Sequence, residues 1–520
     1  MERYAQALAL FKAKNFDAAL ELVNDIKSAA PHWKKPSLLE AYIWREQTEY
    51  IKEIRVLEEL LPRFDLNSPD EKYLAADALS VYGSVVREVG RISEAVESFR
   101  LSAALENNGE KSCVEISNAL FAANNSENFS AEDFRALYDD YKKYLADITP
   151  YPRKFYNHGK IRVGFVSADF NWHVAMAWSW DLLTGLDKKF FAVYCYSNSA
   201  EVDVVTENLL KVVDGWRDIS TLTDAQAAEV IRNDEIDILF DLAGHTAGNR
   251  LRVAAYRPAS VQVSGLGYMN STGLECFDYF LSDIHCAGNA SAMREYFSEK
   301  IIMLPQSHVC YNSSVKLETF PLPCRMKGFV MFGSFNQFSK VTDSILRAWK
   351  KILDAVPNSR LLLKHKIFNT EDCRNFVGER LKNFGIDVAR VDMRGYTANH
   401  LADYADVDIA LDTFPYTGGV TTCEALYMGV PVVSLYGGRH GTRFGLSMLK
   451  NIGLEVFAVD NVNDYVQRAV ILANDWELLN DLRKNLRGMI ERSPLMNSTA
   501  YVRAVEETFL IILTNERKLM

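Results

Sequence analysis

From about residue 160 onward, short apolar runs alternate with amphipathic helical stretches, and that alternation leaves few folds open. The runs at 161–166, 191–196, 236–242, 261–263 and 279–281 read as buried strands, with helices expected at 176–187, 203–212 and 222–233. A second series begins near 329, with strands at 329–333, 360–363, 391–393, 409–412 and 431–435 and helices at 342–355, 371–383 and 422–428. Strands joined by helices pair in parallel, because the crossover returns each strand in the same direction. The expected fold class is therefore α/β, with two Rossmann-like lobes at 155–322 and 323–520, the last helix packing back. Ligands of such sheets sit beyond the carboxyl ends of the strands.

The first 146 residues have a different texture. Gly and Pro are sparse and apolar residues recur at helical spacing. The stretch Asn15-Phe16-Asp17-Ala18-Ala19-Leu20 is echoed at Glu49-Tyr50-Ile51-Lys52-Glu53-Ile54 and again at Arg91-Ile92-Ser93-Glu94-Ala95-Val96. A period near 34 residues is that of tetratricopeptide helix pairs, so residues 1–148 are expected to form a repeat domain with a surface for polypeptide. A plain helical bundle is the alternative. A last helix is expected near 131–146, and Thr149-Pro150-Tyr151-Pro152-Arg153 reads as a linker.

With a net charge of -10, a broad nucleic-acid face is not expected, since phosphate backbones demand a concentrated basic surface. No apolar run reaches the roughly 18 residues that a membrane span requires, and Met1-Glu2-Arg3-Tyr4 opens no signal peptide. Phe509-Leu510-Ile511-Ile512-Leu513 reads as one buried helix turn. The 8 cysteines form no C-x-x-C pair, so zinc and thioredoxin-like chemistry are not expected, and free thiols fit a reducing cytoplasm.

Four strand ends carry the chemistry. Pro415-Tyr416-Thr417-Gly418-Gly419-Val420-Thr421-Thr422-Cys423-Glu424 joins a strand end to a helix. Glycines such as Gly419 let backbone amides approach a ligand, and a helix start favours phosphate. Thr421 and Thr422 add hydroxyls, and Glu424, expected in the first helical turn, suits a ribose hydroxyl. Ordinary capping by threonine also fits this segment. Lys340, with Asn336 and Gln337, follows the first strand of the second series and suits a leaving diphosphate. His173 and His245 follow strands of the first series and are candidates for proton transfer at an acceptor hydroxyl. His400 and His440 are further histidines in the second lobe. Asp406-Val407-Asp408 could hold a metal but leads straight into a strand, so it is expected to face solvent, and no metal or other cofactor is expected.

Taken together, these segments resemble the O-linked N-acetylglucosamine transferase family, in its bacterial, SPINDLY-like branch. The resemblance rests on Arg162-Val163-Gly164-Phe165-Val166-Ser167-Ala168-Asp169-Phe170, Asp241-Leu242-Ala243-Gly244-His245-Thr246-Ala247-Gly248-Asn249-Arg250, Arg257-Pro258-Ala259-Ser260-Val261-Gln262-Val263 and Leu266-Gly267-Tyr268 in the first lobe. In the second it rests on Phe332-Gly333-Ser334-Phe335-Asn336-Gln337, Leu411-Asp412-Thr413-Phe414-Pro415-Tyr416, Thr421-Thr422-Cys423-Glu424-Ala425-Leu426-Tyr427-Met428-Gly429-Val430-Pro431 and Arg443. It implies a two-Rossmann-domain glycosyltransferase fold of the GT-B type and a metal-independent, inverting transfer to Ser or Thr of polypeptide, with UDP-GlcNAc as the leading donor. It further implies that His173 lies near acceptor and sugar, that Lys340 contacts the diphosphate, and that Gln337 and His400 lie near the nucleotide. Thr421, Thr422 and Glu424 then hold phosphate and ribose. The general base stays open between His173, His245 and the donor phosphate. Where GlcNAc-transferring members often read Gly-His-Thr-Thr, this chain reads Gly419-Val420-Thr421-Thr422, which leaves GDP-fucose or another nucleotide-sugar as an alternative donor. A catalytically degenerate binding scaffold is the second alternative.

Overall fold

The computed structural model describes residues 2–288, 293–313 and 317–518. They form two compact units, residues 1–126 with 333–400, and residues 127–332 with 401–520.

The N-terminal region is helical: α1 (Glu2–Lys12), α2 (Phe16–Ala29), α3 (Lys35–Glu46), α4 (Tyr50–Leu60), α5 (Pro69–Glu88), α6 (Ile92–Leu105), α7 (Gly109–Ala123) and α8 (Ala131–Lys143). The three echoed sequences each open the second helix of a pair, at Phe16, Tyr50 and Ile92. Their turns share one backbone design. Lys14, Thr48 and Gly90 occupy the left-handed region at φ 57°, 58° and 87°. The amide after each closes a long turn, Asn15 to the Leu10 carbonyl, Glu49 to Trp44 and Arg91 to Val86, at 2.8–2.9 Å. An αL residue at a helix C-terminus reverses the chain and satisfies carbonyls left unpaired there. The repetition is thus one of turn geometry as well as of apolar spacing. Helix α8 belongs to the other unit, where its Tyr138 hydroxyl donates to the Ser271 carbonyl.

A seven-stranded parallel sheet follows, from β1 (Ile161–Ser167), β2 (Phe191–Ser197), β3 (Gly215–Asp218), β4 (Ile238–Asp241), β5 (Val261–Ser264), β6 (Tyr279–Asp283) and β7 (Lys300–Leu304), in the order β3-β2-β1-β4-β5-β6-β7. A second sheet has six strands: β8 (Met331–Ser334), β9 (Arg360–Lys364), β10 (Val391–Arg394), β11 (Ile409–Leu411), β12 (Val432–Leu435) and β13 (Ala458–Val459). In the first unit β9 pairs with β10, and in the second unit β11 pairs with β12 and β12 with β13, all in parallel. The architecture is the expected one, two Rossmann-like domains after a helical N-terminal region. β3, β7 and β13 have no counterpart among the expected strands. β3 and β7 are sheet edges and half-exposed; β3 is short and carries Arg217 and Asp218, while the apolar run of β7 follows Lys300.

The C-terminal segment differs in part from its expectation: Phe509, Ile512 and Leu513 are buried within the helix Ser498–Lys518, but Leu510 and Ile511 are exposed. Together with Val505 the buried three join the core of the first sheet beside Val163, Phe165, Phe191 and Phe240. The Asp406-Val407-Asp408 triplet is also corrected. Asp408 is fully buried and accepts from the Cys324 and Met331 amides at 2.9 and 2.8 Å, while Asp406 pairs with Lys327. Its carboxylates organise the entry to β11 instead of facing solvent. No helix among the described residues is long and apolar enough to cross a membrane.

Candidate functional site

In the second unit the site is built on the end of β11. Asp412, buried, accepts from the Gly418 amide at 2.7 Å and the Thr413 amide at 2.9 Å through one oxygen, and from the Ser434 hydroxyl at 2.6 Å through the other. Tyr465 donates to its carbonyl at 2.9 Å. Three donors on one carboxylate fix the loop before any ligand arrives. The Thr417 hydroxyl ties the loop to the Gly441 carbonyl at 3.1 Å, and the Phe414–Pro415 peptide is cis.

The loop delivers the chain to a helix spanning Val420–Tyr427, whose N-cap is Gly419 with no side-chain cap. Ordinary threonine capping is therefore not what this segment does. Thr421 and Thr422 instead lie over Gly418: a methyl group there would sit 2.8 and 2.5 Å from their hydroxyl oxygens, so only glycine allows the approach. Glu424 is the fifth residue of the helix, in its second turn and not, as expected, in its first. It is half-buried, Thr421 partly exposed and Thr422 buried. A helix start lacking a side-chain cap, with glycines and hydroxyls beside it, suits an anionic oxygen.

The first lobe faces this loop through α9 (Met176–Gly185), whose Trp178 ring lies against Gly419. His173 precedes α9. Its side chain is 46% exposed, with Nδ1 3.4 Å from an Asp169 carboxylate oxygen. Burial raises the Asp169 pKa, and His173 acts in the opposite sense. The Ala175 amide also points at Nδ1, at 3.3 Å. A ring with its proton on Nδ1 donates to Asp169 and leaves the Nε2 lone pair able to take a proton; the other tautomer accepts from Ala175 and has no base at Nε2. The segment is held by the Trp172 amide on Asp203 at 2.5 Å and the Thr206 hydroxyl on the Phe170 carbonyl at 2.7 Å. Around His173, Trp172 and Val174 are 70% and 55% exposed.

His245 does not share that setting. It is 1% exposed, its Nε2–H donates to the Thr272 carbonyl at 2.8 Å, and the rings of Tyr138, Tyr141 and Tyr268 enclose it. Burial pushes its pKa down to about 4. It is a neutral packing residue, which corrects its expected place beside an acceptor hydroxyl. The three tyrosines come from distant segments, so no local signal marks this burial.

Gln337, Lys340 and His400 belong to the first unit. After β8, Gln337 is exposed and opens a 3-10 turn, Phe338–Lys340, in which the Lys340 amide returns to the Gln337 carbonyl at 3.0 Å. Lys340 is 8% exposed. His400 is half-buried at the start of a 3-10 segment, His400–Asp406.

One group of metal-ligand type occurs among the described residues, the buried Cys286, His308 and His440. Neither a C-x-x-C nor a paired-histidine pattern marks it along the chain. Its groups are committed internally. His308 binds Asp283 at 2.5 Å, and His440 binds the Ser282 hydroxyl at 2.9 Å and the Met269 carbonyl at 3.2 Å. Burial alone would raise the Asp283 pKa, but His308 and the Cys286 and His308 amides hold it well below the carboxylate range. This cluster, with Arg443 donating to the His285 carbonyl at 2.9 Å, fastens segment 439–447 to the end of β6.

A family model, Glycosyl transferase family 41, matches residues 144–320 and 318–505. The chain is 38% identical over 355 residues to the tomato (Solanum lycopersicum) protein named probable UDP-N-acetylglucosamine–peptide N-acetylglucosaminyltransferase SPINDLY, covering 67% of this chain and 38% of that one. It is 28% identical over 369 residues to the Arabidopsis thaliana protein of the same activity name designated SEC, covering 67% and 37%. The chain thus spans under two fifths of the length of these curated relatives. Among solved structures, a mutant O-GlcNAc transferase from Thermobaculum terrenum superposes with a TM-score of 0.87 at 27% identity, covering 100% of this chain and 98% of that one. With the strand-end loops and two parallel sheets described above, these matches place the chain in glycosyl transferase family 41, on the SPINDLY-like side of it.

Proposed function

We propose that this chain is a protein O-glycosyltransferase that moves a sugar from a nucleotide-sugar to Ser or Thr hydroxyls of polypeptide, with UDP-GlcNAc as the leading donor. The observation that carries this reading is the Asp412-held loop, which presents Gly419, two threonine hydroxyls and a helix start without a side-chain cap in one place. The activity named for the SPINDLY and SEC relatives supports it.

On this reading the acceptor oxygen attacks the anomeric carbon in one in-line step. The bond from that carbon to the donor diphosphate breaks, the diphosphate leaves with the electron pair, and the configuration inverts. The acceptor proton passes to Nε2 of His173, whose Nδ1–H is oriented by Asp169. The Gly419–Thr422 segment and the Lys340 ammonium stabilise the leaving diphosphate, Glu424 takes the ribose, and Gln337 and His400 bind near the base. These groups supply the charge stabilisation, so the mechanism needs no metal or other cofactor. The repeat helices hold part of the polypeptide, and the chain works in the cytoplasm.

Val420, where a histidine often stands in GlcNAc-transferring members, favours a second reading with the same chemistry and a GDP-fucose donor. Intact mass of a co-expressed candidate substrate, with a hydrolysis screen across donors, separates the two. A GlcNAc mass increment and turnover of UDP-GlcNAc are expected, and turnover of GDP-fucose alone would transfer the proposal to that donor. Lys340→Ala should lower turnover by about 10²–10³. Unchanged nucleotide binding and glycosylation in that variant would take Lys340 out of the site, and a wild-type chain that turns over no donor would be left as a binding scaffold.

A further inference from the structure

Arg380 stands outside the groups given a role above. It lies on the helix Glu371–Asn383, and its surroundings are unusually specific. Its guanidinium stacks on the Phe338 ring, 5.5 Å from the centroid. One terminal nitrogen, Nη2, donates to the Val341 carbonyl at 3.0 Å and to the Asp343 carboxylate at 2.8 Å. Phe338 and Val341 bracket the 3-10 turn that carries Lys340, and Asp343 opens the next helix. A single planar cation therefore holds both ends of that turn, using the stacking face and fork that lysine lacks.

The other terminal nitrogen, Nη1, is buried and makes no hydrogen bond. It faces Gly90, where a Cβ would lie 2.9 Å from it. The equivalent turn positions of the other two helix pairs hold Lys14 and Thr48, so the left-handed backbone by itself tolerates a side chain. At Gly90 the space is taken by Arg380. The same helix rests on the second pair as well, through Cys373 Sγ against the Thr48 carbonyl at 3.6 Å. The third pair also meets the 3-10 segment after β9, where Glu88 at the end of α5 pairs with Lys366 at 3.5 Å.

We propose that Arg380 is the positioning residue of the Gln337–Lys340 turn and that through it the helix pairs brace the donor-binding side of the protein. The inference rests on the proposed transferase reading, because it assigns Gln337 and Lys340 to the nucleotide-sugar. Arg380 itself touches no reacting atom. Its removal acts by letting the turn drift, which weakens donor binding, slows the step that Lys340 assists, and leaves acceptor handling alone.

The test uses the full chain and measures donor KM, kcat, acceptor KM and thermal midpoint for wild type, Arg380→Met and Arg380→Lys, with UDP-GlcNAc and GDP-fucose as donors. Loss of two hydrogen bonds from a charged donor should raise donor KM about tenfold in Arg380→Met. Arg380→Lys keeps a cation for Asp343 and should keep the thermal midpoint, yet retain the raised donor KM with acceptor KM unchanged. A donor KM equal to wild type in both variants overturns the inference. So does a parallel fall of all kinetic constants with the midpoint, which marks mere structural support. A wild-type chain that turns over neither donor overturns the transferase reading with it, and that outcome is distinct because it appears before any substitution.

Discussion

Two strand ends in the second unit are built alike and end differently. β4 closes on Asp241, which accepts from the Gly244 amide at 2.7 Å and from the hydroxyl of Ser264 on β5 at 3.0 Å. β11 leads into Asp412, which accepts from the Gly418 amide at 2.7 Å and from the hydroxyl of Ser434 on β12 at 2.6 Å. In each case a buried carboxylate ties a glycine of its own loop to a serine of the next strand. Beyond that knot the loops part. After Asp241 the chain plunges into His245, walled by Tyr138, Tyr141 and Tyr268. After Asp412 it rises to Gly419 and a helix start flanked by hydroxyls. One scaffold device has been filled with aromatic side chains in the first loop and kept polar in the second, and the polar copy is the one proposed to take the ligand.

The harshest way to break this comparison is Asp412→Ala. It leaves the Gly418 and Thr413 amides and the Ser434 hydroxyl without their acceptor, and each such loss costs about 1–3 kcal/mol. A fall of several degrees in thermal midpoint with loss of nucleotide binding is expected, and calorimetry reads both. Next in size, His173→Asn should lower transfer by about 10²–10⁴ while donor binding persists, the usual scale for a proton acceptor. Single-turnover rates with a peptide acceptor would show it. By contrast His245→Phe should cost about 1 kcal/mol of stability through the lost bond to Thr272, with transfer within a few-fold of wild type.

The smallest effect concerns pH. Burial pushes the Asp241 pKa up to about 6. Its contribution to stability is complete at low pH, where the carboxyl is protonated folded and unfolded alike. As pH rises from about 4 to 6 the unfolded chain releases this proton first, so the contribution is lost and flattens above the folded value. Asp241→Asn should remove that component from a plot of thermal midpoint against pH. An unchanged slope would mean the carboxylate is better solvated than its surroundings indicate.

The sequence carried the central strands because apolar residues dominate their runs even where Arg162 or Gln262 falls within one, and it carried the helix-pair starts at Phe16, Tyr50 and Ile92 because the turn recurs with its apolar neighbours. The loop at 415–424 was legible because glycines and threonines cluster there without a packing reason. Asp241 and Asp412 were not, since a polar residue ending a strand looks the same whether it meets water or three donors. Arg380 was beyond reach for a related reason: Gly90 and Phe338, which give it meaning, are brought to it only by the fold.

Hydrogen exchange of the intact chain with and without saturating UDP or GDP asks most directly which strand-end loop holds the nucleotide. Slowed exchange at the amides of 418–424, with 244–249 unchanged, is the expected result. Protection confined to 244–249, or none at 418–424 with either nucleotide, would contradict the assignment of the Asp412 loop as the seat of the diphosphate.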